Sequence, residues 1–191
     1  FSLLKALAYQ IAAASGARVG YLTAGANGVG AHLVGRVPHR GPGGASLSQP
    51  GLPAAAMLSA PRRAYLLWGL EPDRDLVDPA QAQRGLAAAE LVVACTSFRS
   101  PALEQVADIL LPSAAFAETS GTFVNAGGDW QGFAGAVPPP GEARPGWKVL
   151  RVLGNELGLG GFEQTSSAEV LAELRGACGS AALDNAPTAN L

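Results

Sequence analysis

Continuous apolar runs of strand length recur along this chain, each bounded by a turn or by a stretch of helical composition. Residues 63–69, centred on Tyr65-Leu66-Leu67-Trp68, and residues 90–95 are two such runs, separated by an Ala-rich segment. Strands apolar on both faces predict a buried parallel sheet rather than the alternating pattern of a one-sided one. The segment between them has a well-marked start: Asp78 is placed to cap a helix, Pro79 suits its first position and Gln81 stands where a capping-box partner belongs. Strand, loop, helix and strand make a βαβ crossover. A short helix over 101–107 and a third apolar run, Asp108-Ile109-Leu110-Leu111, stopped by Pro112, continue the series.

Upstream, Ser2-Leu3-Leu4-Lys5-Ala6-Leu7-Ala8 opens a helix that Gly16 ends, and Arg18-Val19-Gly20-Tyr21-Leu22 reads as a further strand. The sheet is therefore expected to hold at least four strands. Residues 35–53, rich in Gly and Pro, follow neither period and predict a long loop. After Glu118 the texture changes. Gly121-Thr122-Phe123-Val124-Asn125 and Asp129-Trp130-Gln131-Gly132-Phe133 flank Ala126-Gly127-Gly128, which predicts a hairpin or an irregular β turn. Prolines 138–140 impose an extended segment. A helix over 147–157 follows, with Trp147, Leu150, Val152, Leu153 and Leu157 as its apolar positions. A last helix starts at Ser166, capped with Glu169, and ends near Gly176 or Gly179.

Composition narrows the function classes. Hydrophobic residues make up 48% of the 191-residue chain and charged residues only 15%, which predicts a well-buried domain that docks into a larger assembly. The 13 basic and 15 acidic residues form no runs, which argues against a nucleic-acid footprint or a polybasic membrane patch. The longest apolar stretches, 64–70 and 91–95, fall well short of the roughly 20 residues a membrane span needs. With no initiator Met and no signal sequence before the opening helix, the chain reads as a piece of a longer protein.

Candidate chemistry is sparse. Cys95 and Cys178 share no metal-ligand spacing with each other or with His32 and His39, so two buried thiols in a reducing compartment are expected, without a disulfide or an iron–sulfur cluster. Gly25-Ala26-Asn27-Gly28-Val29-Gly30 sits where a phosphate loop would, but Leu33 occupies the third glycine position and no acid follows before Glu71. Ala31-His32 likewise replaces the Lys-Ser/Thr of a Walker loop, leaving a tight turn as the reading. Glu71, Asp73, Asp75 and Asp78 gather where a strand ends and a helix begins, the end of a parallel sheet at which ligands bind. Acid or metal chemistry is one reading of that cluster; a solvated loop with Asp78 as the cap is the commoner one. No Gly-x-Ser-x-Gly elbow supports a hydrolase.

The most specific stretch runs from Ala107-Asp108-Ile109-Leu110-Leu111-Pro112 through Phe116-Ala117-Glu118-Thr119-Ser120-Gly121-Thr122-Phe123-Val124-Asn125 and Trp130-Gln131 to Pro140-Gly141-Glu142-Ala143-Arg144-Pro145-Gly146-Trp147. It resembles the molybdopterin oxidoreductase superfamily. The late Pro-Gly-Glu-Ala-Arg element, with Gly20-Tyr21-Leu22 and Asn27 to Gly30-Ala31, more closely resembles one family within it. That family is the subunit of bacterial NADH-quinone oxidoreductase, respiratory complex I, that houses several iron–sulfur clusters in its amino-terminal part. The resemblance extends from Gly20 to Leu159.

It implies an α/β fold with a doubly wound, mostly parallel Rossmann-like sheet, a small β-hairpin appendage and C-terminal helices. Residues 1–118 would be the body, 119–179 the hairpin, Pro-rich segment and helices packed on it, and 180–191 a disordered tail. The parent complex would carry electrons from NADH through FMN and iron–sulfur clusters to quinone, coupled to proton translocation. Its 2Fe-2S and 4Fe-4S clusters would lie elsewhere in the parent subunit, and its place would be the cytoplasmic side of the bacterial inner membrane. Partners would be the other peripheral-arm subunits and the remainder of the same subunit. No catalytic, cofactor-binding or metal-binding residue is expected here. Asp108, Pro112, Glu118, Gly121, Thr122, Asn125, Gln131, Gly141, Glu142, Arg144 and Trp147 would act as scaffold. Asp108 and Pro112 would bracket a buried strand, Gly121 permit a bend, Arg144 clamp Glu118 or Glu142, and Trp147 be buried.

The cofactor-binding enzymes commonly carry Asn-x-Glu-Gly-Arg where this chain has Asn125-Ala126-Gly127-Gly128-Asp129, and a Thr-Glu-Thr-like stretch where it has Ser97-Phe98-Arg99-Ser100-Pro101. Losing an Arg and gaining an acid disfavours a phosphate-rich pterin dinucleotide. The rival reading is a piece of a true molybdopterin-dependent oxidoreductase of formate dehydrogenase type, lining such a pocket. A free-standing Rossmann-like binding module is disfavoured by the failed glycine fingerprints.

Overall fold

The computed structural model describes residues 2–20 and 22–179. Its central strand, β2 (Leu91–Thr96), is hydrogen-bonded on one side to β1 (Ala64–Trp68) and on the other to β3 (Ile109–Pro112), both parallel to it. All three are the apolar runs read from the sequence, and the register sets Leu67 beside Ala94 and Val93 beside Ile109. Leu67, Val92 and Ala94 point to one face, where they pack with Leu86, Leu103 and Val106 into the main core. Leu86 and Leu103 are fully buried there.

Helices α3 (Ala54–Ser59), α4 (Pro79–Ala87) and α5 (Pro101–Glu104) supply that face, with α1 (Ser2–Ser15) and α2 (Gly28–Leu33) preceding them in the chain. The capping signal at Asp78 holds, its carboxylate accepting from the Gln81 N–H at 2.8 Å; α5 is capped as well, Ser100 accepting from the Leu103 N–H at 3.3 Å. Gly85 in α4 is required by proximity, since a Cβ there would come within 2.7 Å of the Leu58 carbonyl oxygen. Tyr65 fastens α3 to β1, donating its hydroxyl to the Met57 carbonyl at 2.7 Å and accepting from the Arg62 N–H at 2.9 Å.

The opposite face of the sheet is open. Leu66, Leu91, Ile109 and Leu111 are 47%, 40%, 45% and 37% exposed. Helix α6 (Gly146–Glu156) starts against the ring of Trp68, where a Cβ on Gly146 would approach within 2.8 Å. Between α6 and the sheet lies an apolar trough of about 1000 Å³.

A second, smaller core joins distant parts of the chain. Strands β4 (Gly121–Val124) and β5 (Trp130–Phe133) form an antiparallel hairpin, so the regular alternative holds over the irregular turn. Val124 of the hairpin, Leu33 of α2 and Cys178 of α7 (Ser167–Cys178) are buried together, with Trp130 and Leu174 against them. The hairpin and α7 therefore pack on α2, not on the sheet.

Several expectations need correction. Among the described residues of 18–22 none is in a strand, and the main sheet has three strands rather than four or more. An extended run becomes a strand only where an edge accepts its hydrogen bonds, and Gly20 leaves this run without a side chain to pack at its centre. Leu22 is accordingly 96% exposed. The 35–53 loop contains one turn of 3₁₀ helix at Pro42–Gly44, and the helix expected over 101–107 is regular only over Pro101–Glu104. α7 passes through Gly176 and stops at Gly179, whose φ is +57°. The tail expected over 180–191 lies outside the described residues.

Truncating Leu103 to Ala removes a side chain with no solvent exposure and should cost about 2–5 kcal/mol in urea unfolding; a loss under about 1 kcal/mol would remove this residue from the core. At the other end of the chain, the Glu169 carboxylate accepts from the Thr165 N–H and hydroxyl, both at 2.8 Å, which holds its pKa below the usual carboxylate range. A carboxyl depressed on folding contributes stability that is fully present above its unfolded pKa and is lost as pH falls through the folded one. Glu169→Gln should therefore flatten the acid limb of melting temperature against pH, and an unaltered limb would show that the bonds to Thr165 do not persist in solution.

Candidate functional site

The C-terminal ends of β1, β2 and β3 are where an open parallel sheet positions ligands, so the loops that follow each strand are the first place to look for chemistry. After β1 comes Gly69, at φ +56°, whose N–H donates to the Cys95 carbonyl at 2.8 Å. The acidic loop then closes on itself. The Asp75 carboxylate accepts from the Glu71 N–H at 2.7 Å, and Arg74 pairs with Glu71 at 3.4 Å and Asp73 at 4.0 Å. Asp78 is the helix cap. Of the two readings of this cluster, the solvated loop is the one whose contacts are seen.

After β2, the Thr96 hydroxyl donates to the Phe98 carbonyl and accepts from its N–H, while the Ser97 hydroxyl lies 3.3 Å from that of Ser113 and donates to the Ala114 carbonyl at 3.2 Å. Arg99 is paired with Glu104. Cys95 is buried beneath these hydroxyls, and burial pushes its thiol pKa up more than the hydrogen bond with Ser113 brings it down. A thiol held protonated in this way is a poor nucleophile. Cys178 is buried too, in the smaller core, where its thiol donates to the Leu33 carbonyl at 3.3 Å. His32 bonds through Nδ1 to the Gly28 carbonyl, and among the described residues no group of three or more His, Cys, Asp or Glu could hold a metal ion.

Asp108 has the most consequential contacts among the signature residues. Its carboxylate accepts from the Val92 N–H at 2.7 Å while its own N–H donates to the Val92 carbonyl at 2.9 Å, a two-point clamp at the start of β2. Pro112 closes β3 opposite Thr96. Glu118 turns back to the Ala115 N–H at 2.9 Å. Gly121 makes no bend: it lies in β4, and a Cβ there would come within 2.6 Å of the Phe133 ring, so the glycine clears space for that ring.

Asn125 organises the hairpin turn, its Oδ1 accepting from the N–H groups of Gly127 and Asp129, each at 2.9 Å, and its Nδ2 donating to the Asp129 carboxylate at 3.1 Å. Gln131 faces solvent opposite Phe123. Arg144 clamps neither Glu118 nor Glu142. Its guanidinium instead donates to the carbonyls of Gly141 at 3.2 Å and Ala143 at 2.8 Å, because the left-handed Gly141, at φ +52°, folds the chain back beneath it. Backbone bonds between Arg144 and both Pro112 and Ala114 extend β3. Trp147 is half-buried rather than buried, since it stands between two surface hollows.

One organising residue, Asn27, escapes sequence reasoning. Its Oδ1 accepts from the Val124 N–H at 2.8 Å, linking the glycine-rich turn to the hairpin 97 positions away. The glycine-rich run and the family resemblance both mark this position, but neither points to a contact with the hairpin. The same turn is filled from within: a Cβ on Gly30 would lie 2.1 Å from the Asn27 Oδ1, and one on Gly28 would lie 2.4 Å from Thr23. These side chains stand where a phosphate loop needs open space. Asn27, Thr122, Trp130, Trp147 and the Ser120–Ser167 hydroxyl pair, 2.8 Å apart, also border a cavity of about 440 Å³.

Residues 5–156 match the model of the molybdopterin oxidoreductase family. The chain belongs to this family. Among curated proteins it is similar to the 78 kDa subunit of mitochondrial NADH-ubiquinone oxidoreductase, with 47% identity over 55 residues in Neurospora crassa, 29% of this chain and 7% of that protein. The Candida albicans counterpart is also 47% identical, over 51 residues, 27% of this chain and 7% of that one. It is similar as well to the F420-dependent formate dehydrogenase 1 subunit alpha of Methanococcus maripaludis, 42% identical over 65 residues, 34% of this chain and 10% of that one. The matched stretches thus span a tenth or less of these relatives.

The family name implies a pterin group, and the donor set at the sheet end does not fit a phosphate-rich one. Glu71, Asp73 and Asp75 crowd the loop after β1, while Arg74 and Arg99 are already engaged by carboxylates and Arg144 by carbonyls. What this edge does instead is hold the strand ends together. Asp108→Ala would leave the N–H of the 1%-exposed Val92 without its carboxylate acceptor, and should cost about 1–3 kcal/mol by chemical denaturation, with Asp108→Asn retaining part of it. Equal stabilities for the three proteins would dissolve the clamp.

Proposed function

We propose that the chain is a structural and docking part of the cluster-bearing peripheral-arm subunit of a bacterial NADH-quinone oxidoreductase, without a redox centre of its own. The parent complex would carry electrons from NADH through FMN and iron–sulfur clusters, 2Fe-2S and 4Fe-4S, to quinone, with proton translocation. The clusters would lie in other parts of the subunit. Neighbouring peripheral-arm subunits and the rest of the same polypeptide would be the partners, on the cytoplasmic side of the inner membrane. Among the described residues no helix is long and apolar enough to cross a membrane, so attachment to the membrane would come through those partners.

The observation that carries this reading is the closed turn at Asn125–Asp129. Its amide and carboxylate groups are spent on one another, and Asp129 stands where the cofactor-binding enzymes commonly have a cation. The similarity to the 78 kDa subunits supports the same assignment. The open second face of the sheet supports docking, because a parallel sheet is stable when both faces are covered; with that face covered, the sheet would be doubly wound.

A second reading is favoured by the longer match to the formate dehydrogenase: that the chain is a piece of a molybdopterin-dependent oxidoreductase lining a pterin dinucleotide pocket. Metal analysis of the native full-length protein, captured through this region, separates the two. Iron together with subunits of the NADH-quinone complex, and neither molybdenum nor tungsten, is expected. Stoichiometric molybdenum or tungsten with pterin released on denaturation would replace the docking reading with the second one. The double variant Gly127→Glu, Asp129→Arg should gain no pterin.

A further inference from the structure

The trough between α6 and the sheet is unlike the other hollows in both size and lining. Ala64, Leu66, Leu91, Val93 and Leu111 form its sheet wall, and α6 contributes Val149, Val152 and Leu153. The α6 side also carries three cations against one acid: Arg144, Lys148 and Arg151 against Glu156. None of the three cations has a carboxylate partner among the described residues. Lys148 lies 5.4 Å from the Trp147 ring centre, and Arg144 is bonded to backbone carbonyls. Arg151 donates through one terminal nitrogen to the Gln164 carbonyl at 3.2 Å, but its Nε is buried with no acceptor among the described residues.

Charged groups gain most from acceptors that are themselves ionised. The apolar wall asks for aliphatic side chains and the cationic rim asks for carboxylates. The layer that covers a parallel sheet is ordinarily helical. We infer that the trough is the seat of an amphipathic helix from a partner polypeptide, one whose apolar stripe is flanked by Glu or Asp. This deepens the docking reading and rests on it, by giving the docked element a chemistry. The apolar stripe would cover Leu66 and Leu111, and the acidic flank would meet the exposed Lys148.

The test uses two fluorescent model helices of about 18 residues, alike in their Leu stripe, one flanked by Glu and the other by Lys, titrated against this chain by anisotropy. The Glu helix should bind about tenfold tighter or better, with the advantage shrinking between about 50 and about 500 mM salt. Lys148→Glu, an exposed substitution, should remove the preference. Val152→Asp, at a position 50% exposed, should weaken both helices while leaving the circular dichroism unchanged; Leu66→Asp is the matching change on the sheet wall. Equal binding of the two helices, binding of neither, tighter binding of the Lys helix, or concentration-dependent self-association lost in Val152→Asp would each overturn the proposal. The same Lys148→Glu and Val152→Asp changes in the full-length protein separate the two levels. Undiminished recovery of the complex sinks the trough and leaves docking intact, whereas wild-type protein that recovers no complex sinks the docking reading itself.

Discussion

Everything in the body depends on β2 having neighbours on both edges and both faces. Its edges are satisfied by β1 and β3, and the Asp108 clamp keeps the return strand in register with Val92. One face is satisfied by α3, α4 and α5, whose contacts are close enough that Gly85 cannot carry a side chain. Among the described residues the other face meets only α6, across a gap. Loops at the strand ends are stiffened by their own hydrogen bonds, which leaves few polar groups aimed outward at the place where a ligand would arrive.

The smaller core obeys a different logic. It brings together α2, the hairpin and α7 from opposite ends of the sequence, with Asn27 as the tie. The Arg175 guanidinium lies over Trp130 at 5.1 Å, and on the other face of the hairpin Phe123 and Phe133 pack edge to face at 5.0 Å. Of the two buried thiols, Cys178 belongs to this core, while Cys95 lies in β2 between Trp68 and Leu111, and both serve as small apolar side chains.

Where a residue acts through its near neighbours in sequence, its role was legible. Asp78 and Ser166 cap helices, and the unbroken apolar runs at β1, β2 and β3 form the parallel strands, because capping geometry and periodicity are local properties. Where the role depends on an object far along the chain, it was not. Gly121 reads as a hinge because the Phe133 ring that excludes a side chain lies on the next strand. Arg144 reads as an ion-pair partner because spacing cannot reveal that Gly141 turns two carbonyls toward it. The 18–22 run has strand-forming residues, but strand pairing requires an available edge and no composition guarantees one. The match to the family reaches 5–156, so the resemblance is sound at that level even where individual roles are misread.

The open sheet face also bears on how the chain folds. The core beneath α3, α4 and α5 is formed from residues between 58 and 110 and closes through short connections, so it can assemble early and without help. Leu66, Leu91, Ile109 and Leu111 then remain in water until something arrives to cover them. During that interval the unpaired outer edge of β1 and the bare face beside it are the surfaces most able to capture another unfinished chain. A sheet covered on one face alone is open to such capture for as long as the other face stays bare.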